Sequence, residues 1–325
     1  MGTLTAMGRV TVIAAASALA LGGSSLPLKT VASRPLPGGS SRLDYASIDS
    51  KGHRLYISHL GGGLVIVFDT KARRVVKTIP APGAHGVLVV PSLHRVFASA
   101  TNDRQLVTID ARTNKVVSRA PAGEYPDGIA YDSADHRIYV SDESGSAEIV
   151  FGASGRRIGA VPLGGEAGNV QYDPVSGRVL VDVQSRDEVA VIGPRTNRVI
   201  RRISLPGCDH PHGLLVDAPR RLAFVACDEN AKLLTLDLGR MKIAGTAGVG
   251  DSPDVLAFDR SLRRLYVSAE SGNVAVFAER GRTLEKLGQA FLAPEAHTVA
   301  VDSSTHLVYF PLQDGPTLRI MKPAG

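Results

Sequence analysis

The chain has 325 residues, is 44% hydrophobic and 21% charged, and carries a formal net charge of +6. That apolar share excludes wholesale disorder and is ample for a large core. With no Trp, 5% aromatics, 34 glycines and abundant Val, the composition suits many short strands.

The N-terminus reads as an export signal. Arg9 precedes an apolar run from Val10 to Leu21, and Ala18-Leu19-Ala20 offers a small-x-small cleavage pattern. The run is about 12 residues, short for a membrane span and right for a signal core. Residues 1–25 are therefore expected to be a cleaved signal peptide, with an uncleaved anchor as the other reading. No Cys lies near the site, which disfavours a lipoprotein, and no later stretch is apolar enough to span a bilayer. The expected location is periplasmic or secreted.

From residue 26 onward a unit of about 42 residues repeats seven times. The first copy is the template. Asp44–Asp49 is a strand, 50–53 a turn, Arg54–Ser58 a second strand, Gly61–Gly63 a loop, and 64–69 and 74–79 two further strands. No segment shows a sustained 3.6-residue period. Aligned on the Asp that usually ends the first strand, the residue five positions earlier is polar in six copies, with Gly168 as the gap. It is Asp44, His85, Asp127, Gly168, His212, Asp254 and His297, at spacings of 41, 42, 41, 44, 42 and 43. A period in this range with several strands per unit predicts an all-β, seven-bladed β-propeller of four-stranded antiparallel blades over residues 26–325. The seventh copy lacks a fourth strand, and the segment Leu28–Ser33 is unassigned. That segment is expected to complete the last blade and close the ring.

Second strands such as Ile138-Tyr139-Val140-Ser141 and Leu265-Tyr266-Val267-Ser268, and the connections 110–117 and 193–200, resemble the YVTN-repeat, YncE-like seven-bladed propellers over nearly the whole mature chain. The resemblance speaks for the fold and little for function. It allows binding of single-stranded DNA, which some members of that family show.

Antiparallel connectivity sends the turns between strands one and two, and three and four, to one face, and the loops into strand one to the other. Sorting charges this way predicts a basic turn face rich in Arg and an acidic, His-bearing channel mouth. The Arg residues are not interleaved with aromatics, which argues against base stacking. His53, His94, His136 and His306 recur in the first turn and are read as turn geometry.

The mouth is the candidate site. His85, His212 and His297 at one ring position are candidate ligands of a divalent transition metal. Asp44, Asp127, Asp254, His59, Asp142 and Glu295 are candidate ligand-binding residues on the same face. The competing reading is that Asp and His tie down loop amides. Adjacent-blade pairs, His297 with Asp254 or with Asp44, share a ligand more easily than the three histidines, which come from non-adjacent blades. Cys208 and Cys227 fall at ends that antiparallel pairing brings together, so a disulfide is expected, with two separate thiols as the alternative.

Three functions remain open. One is a binding module taking a small molecule, metal or peptide at the mouth. The second is a metal-dependent enzyme, a lactonase-type hydrolase or an oxidoreductase, using the same place, although no known ligand set of such enzymes maps onto this chain. The third is polyanion or nucleic-acid binding by the basic face.

Overall fold

The computed structural model describes residues 1–2 and 25–324. The expected signal segment lies outside the described residues, apart from its two ends.

Seven four-stranded antiparallel sheets form the ring of a β-propeller. Blades one to six run in chain order over 46–80, 84–121, 126–162, 167–204, 211–248 and 253–291. Blade seven takes three strands from 300–323, and its fourth, outermost strand is Leu28–Pro35. That strand pairs antiparallel with Thr317–Pro323, from Leu28 opposite Pro323 to Pro35 opposite Thr317. The closing strand predicted at 28–33 is therefore present, and it removes the open edge of the last blade.

The core lies between blades. Second strands are apolar on both faces because each is sandwiched by its neighbours, and their Tyr56, Phe97, Tyr139, Phe224, Tyr266 and Tyr309 are buried. Outer strands alternate, as in Lys242–Gly248, because one face meets solvent. Six separate residues at the first turn, His53, His94, His136, Arg221, Arg263 and His306, have φ between 50° and 59°. The recurrent histidines are thus left-handed turn residues, as the sequence suggested.

Several of these turn residues also clasp the preceding blade. Arg221 of blade five pairs with Asp173, Arg263 of blade six with Asp217 at 2.8 Å, and His306 of blade seven with Asp259 at 2.7 Å. Each acceptor is the Asp that ends an inner strand. Sorting charges by face overlooked these strand-terminal aspartates. The turn face carries them beside its arginines, and Arg54–Asp69 and Arg95–Asp110, both at 2.7 Å, add to the pairing. Much of the basic charge on that face is therefore locally neutralised.

Cys208 and Cys227 form a disulfide with Cα atoms 5.3 Å apart, closing the loop into the inner strand of blade five onto its second strand. The bridge spans 19 residues, and a loop of that size is expected to contribute about 3 kcal/mol. Cys208→Ser in a Cys227→Ser background should lower the unfolding free energy by that order in urea denaturation. Unchanged stability of the double variant would show that the loop is held without the bridge.

Candidate functional site

In blades two to six the ring position sits where the inner strand begins, and there the strand pairing slips; in blades one and seven it precedes an inner strand that pairs without a shift. Register shifts occur between Ala84 and Val87, Pro126 and Ile129, Pro211 and Gly213, and Pro253 and Leu256. A bulge re-aims the side chain it carries, and here it turns His85, Asp127, His212 and Asp254 inward. A Cβ at Gly86 or Gly213 would strike the backbone carbonyl of the next ring residue, Asp127 or Asp254. Glycine at those positions lets neighbouring inner strands crowd the mouth.

The ring is a network of buried opposite charges. His85 Nε2 lies 3.2 Å from Asp44 Oδ2 and 3.6 Å from Asp127 Oδ1. His212 Nε2 lies 3.3 Å from Asp254 Oδ1, and its Nδ1 is 2.9 Å from Gln184 Oε1. Arg42 reaches Asp44 Oδ2 at 2.8 Å, Asp254 Oδ2 at 3.6 Å and Glu270 Oε1 at 2.6 Å. Burial works against the His85 imidazolium, but Asp127 and Asp44 outweigh it and raise its pKa to about 9. His212, opposed by burial and supported by Asp254 and Asp127, rises to about 10. Asp44 is likewise opposed by burial, yet His85 and Arg42 hold it well below the usual carboxylate range. Asp127 is 0% exposed, neither of its oxygens has a hydrogen bond, and burial raises its pKa against the pull of His85 and His212.

The three ring histidines do not meet at one point. His85 and His212 turn Nε2 to carboxylates as charged partners, which leaves no lone pair there for a metal. Of the three histidines expected as ligands, only His297 belongs to a close group of donor atoms among the described residues. Among the described residues the one group able to hold an ion is Asp44, Asp254 and His297, from adjacent blades one, six and seven. Their ligand atoms lie within 4.8 Å of one another. His297 Nδ1 donates to the Glu295 carbonyl at 3.0 Å, and its buried Nε2 has no hydrogen-bond partner. Asp44 Oδ1 also lacks one, whereas Asp254 Oδ1 faces His212 Nε2 at 3.3 Å.

Three other candidates serve loops. His59 lies between the Pro37 carbonyl at 3.1 Å and Ser41 Oγ at 3.0 Å. Asp142 accepts from the amides of Glu124 and Tyr125 at 2.7 and 2.9 Å. Glu295 contributes its backbone carbonyl to His297. These follow the loop-tie reading.

Two important residues were missed. Arg42 is a cation on a face read as acidic, two positions before Asp44, and that position was its only signal. Tyr45 follows Asp44 and spans the channel. Its hydroxyl accepts from Asn169 Nδ2 of blade four at 2.7 Å and lies 3.5 Å from His212 Nε2 of blade five. It separates a mouth cavity of about 280 Å³, lined by Arg42, His85, Tyr125, Glu143, Gln184 and His212, from a narrower space of about 150 Å³ along the inner strands. Burial pushes Glu143 on the cavity wall up to about 7.

Comparisons agree with this architecture. The protein YncE of Salmonella typhi, described as uncharacterized, is 30% identical over 95 residues, or 29% of this chain, and the Salmonella typhimurium YncE matches equally. The chain spans only 27% of the length of these relatives in that match. No family model matches. Among solved structures, Kuenenia stuttgartiensis hydrazine synthase superposes with a TM-score of 0.77 at 12% identity, covering 91% of this chain and 98% of that one. A chain of a mitotic checkpoint complex superposes with a TM-score of 0.78 at 9% identity, covering 99% and 98%. These two likenesses establish the fold alone. The chain is a seven-bladed propeller with a partial sequence likeness to YncE. Among the described residues no helix is long and apolar enough to cross a membrane.

Proposed function

We propose that this propeller is an exported binding module whose channel mouth holds a divalent transition-metal ion on Asp44, Asp254 and His297. The ion is offered to a small molecule or peptide in the adjoining cavity, which Asp254 borders. The observation that carries this is the convergence of one imidazole and two carboxylates within 4.8 Å, with His297 Nε2 and Asp44 Oδ1 buried and without a hydrogen bond. An N,O,O donor set suits Zn, Mn or Fe. Arg42 grips Oδ2 of both aspartates and so fixes their orientation, as outer-shell partners of metal ligands do. The disulfide and the apolar N-terminal run support export.

Three protein ligands leave open positions. The same arrangement therefore supports a second reading, in which a bound metal polarises a carbonyl or activates water for a hydrolase or oxidoreductase. The test is equilibrium dialysis of chelator-stripped protein against Zn²⁺, Mn²⁺ and Co²⁺ with elemental analysis. Retention of about one ion per chain is expected. No retention of any of the three at millimolar concentration would sink the proposal.

A further inference from the structure

A second site lies on the opposite face, where the clasp between blades is missing. In blades five, six and seven a left-handed turn residue reaches back to the aspartate ending the previous inner strand. Asp173 and Asp259 divide their work in the same way. Oδ1 holds turn amides, while Oδ2 meets the neighbour's side-chain nitrogen, from Arg221 or His306. Asp132 of blade three is 1% exposed and keeps the first half of that pattern, with Oδ1 accepting from the Ala134 and Asp135 amides at 2.9 and 3.2 Å. Its Oδ2 makes no hydrogen bond of good geometry and has no cation beside it among the described residues; its neighbouring donor is the Tyr172 hydroxyl on the cavity wall. The reason is in the sequence. The clasp position of blade four is Gly177, around which a Cβ would meet nothing within 4 Å.

A second glycine orphans the complementary charge. Arg54 and Arg95 pair with Asp69 and Asp110 opposite them on the third strand. The register of Val179 with Ile192 places Gly193 opposite Arg178. Arg178 makes a weak contact to the Gly177 carbonyl at 3.5 Å and no salt bridge among the described residues. Asp132, Tyr172, Gly177, Arg178, Gly193 and Arg195 border a cavity of about 410 Å³. That volume lies in the range of small-molecule sites.

We propose that this cavity binds a small carboxylic acid carrying a guanidinium group, of the arginine class. The ligand's cation takes the place at Asp132 that Arg221 takes at Asp173, and its carboxylate pairs with Arg178. The fold itself shows that a guanidinium fits such an aspartate, because blades five and six supply one from within. A buried carboxylate oxygen with no cation beside it favours a ligand that brings one.

Calorimetric titration of the full chain with L-arginine, citrulline and agmatine tests this. Arginine is expected to bind. Citrulline, in which an uncharged urea replaces the guanidinium, and agmatine, which lacks the carboxylate, should each bind about tenfold more weakly or worse. Gly177→Arg, which supplies the clasp internally, and the isosteric Asp132→Asn should both abolish binding. His297→Ala, on the opposite face, should leave it unchanged, so failure here is separable from failure of the metal proposal. Equal affinity for citrulline, full binding by Asp132→Asn, or loss of binding in His297→Ala would each overturn the site.

Discussion

Arg263→Ala is expected to lower the unfolding free energy by about 3–5 kcal/mol, the usual cost of breaking a buried ion pair by removing one partner. Arg263 serves two carboxylates at once. It lies 2.8 Å from Asp217 Oδ2 of the preceding blade and also pairs with Glu279 of its own third strand. Asp217 and Glu279 are 1% and 4% exposed, so neither can turn to water when the cation is removed. The guanidinium also stands 5.5 Å from the Phe258 ring centroid, and that contact would be lost as well. Arg263→Lys should recover part of the loss, since a single nitrogen, Nη2, meets both acceptors, but the guanidinium's contact with the Phe258 ring would be lost. Urea denaturation at neutral pH measures both. A loss for Arg263→Ala below about 1 kcal/mol would place it with ordinary surface pairs and remove the clasp from the account of stability.

The second large effect concerns the mouth. His297→Ala is expected to weaken divalent metal binding about a hundredfold or more, since even partners behind the ligands typically cost ten- to a hundredfold. The Glu295 carbonyl accepts the Nδ1 proton, which leaves the lone pair on Nε2, the atom that has no partner. The tautomer a metal needs is thereby set in advance. His85→Ala is the control: His85 contacts Asp44 at 3.2 Å yet lies outside the ligand group, so its loss should be smaller. Metal affinity by competition with a chromophoric chelator reads both, with circular dichroism to verify folding. A greater loss for His85→Ala than for His297→Ala would mean that the ligand set is wrong.

The ring was legible because it repeats. One aligned position yielded Asp44, His85, Asp127, His212, Asp254 and His297, and all of them enter one buried charge network or the close donor group of Asp44, Asp254 and His297. The preference for adjacent-blade sharing, His297 with Asp254 and Asp44, followed from the geometry of a wide mouth. The roles within the ring were not legible. His85, His212 and His297 are equivalent in the repeat, yet two are charged partners and one keeps a free nitrogen, and the difference lies in which carboxylates face them. Arg42 and Tyr45 escaped notice because neither recurs from blade to blade. A residue that breaks the period carries no repeat signal, even when it closes the channel or joins three carboxylates.

Sequence alone was enough to determine the number of blades, the strand order within each and the closing role of residues 28–33, because alternation, turn chemistry and a fixed period are local properties that add along the chain. It also marked the left-handed histidine turns. Tertiary structure alone decided which charges meet. Bulges aim several ring residues, Arg42 couples blades one and six, and Gly177 with Gly193 leaves Asp132 and Arg178 unpaired at one blade boundary. Charge pairing depends on distances of a few ångströms between residues far apart in sequence, and no periodicity encodes those distances.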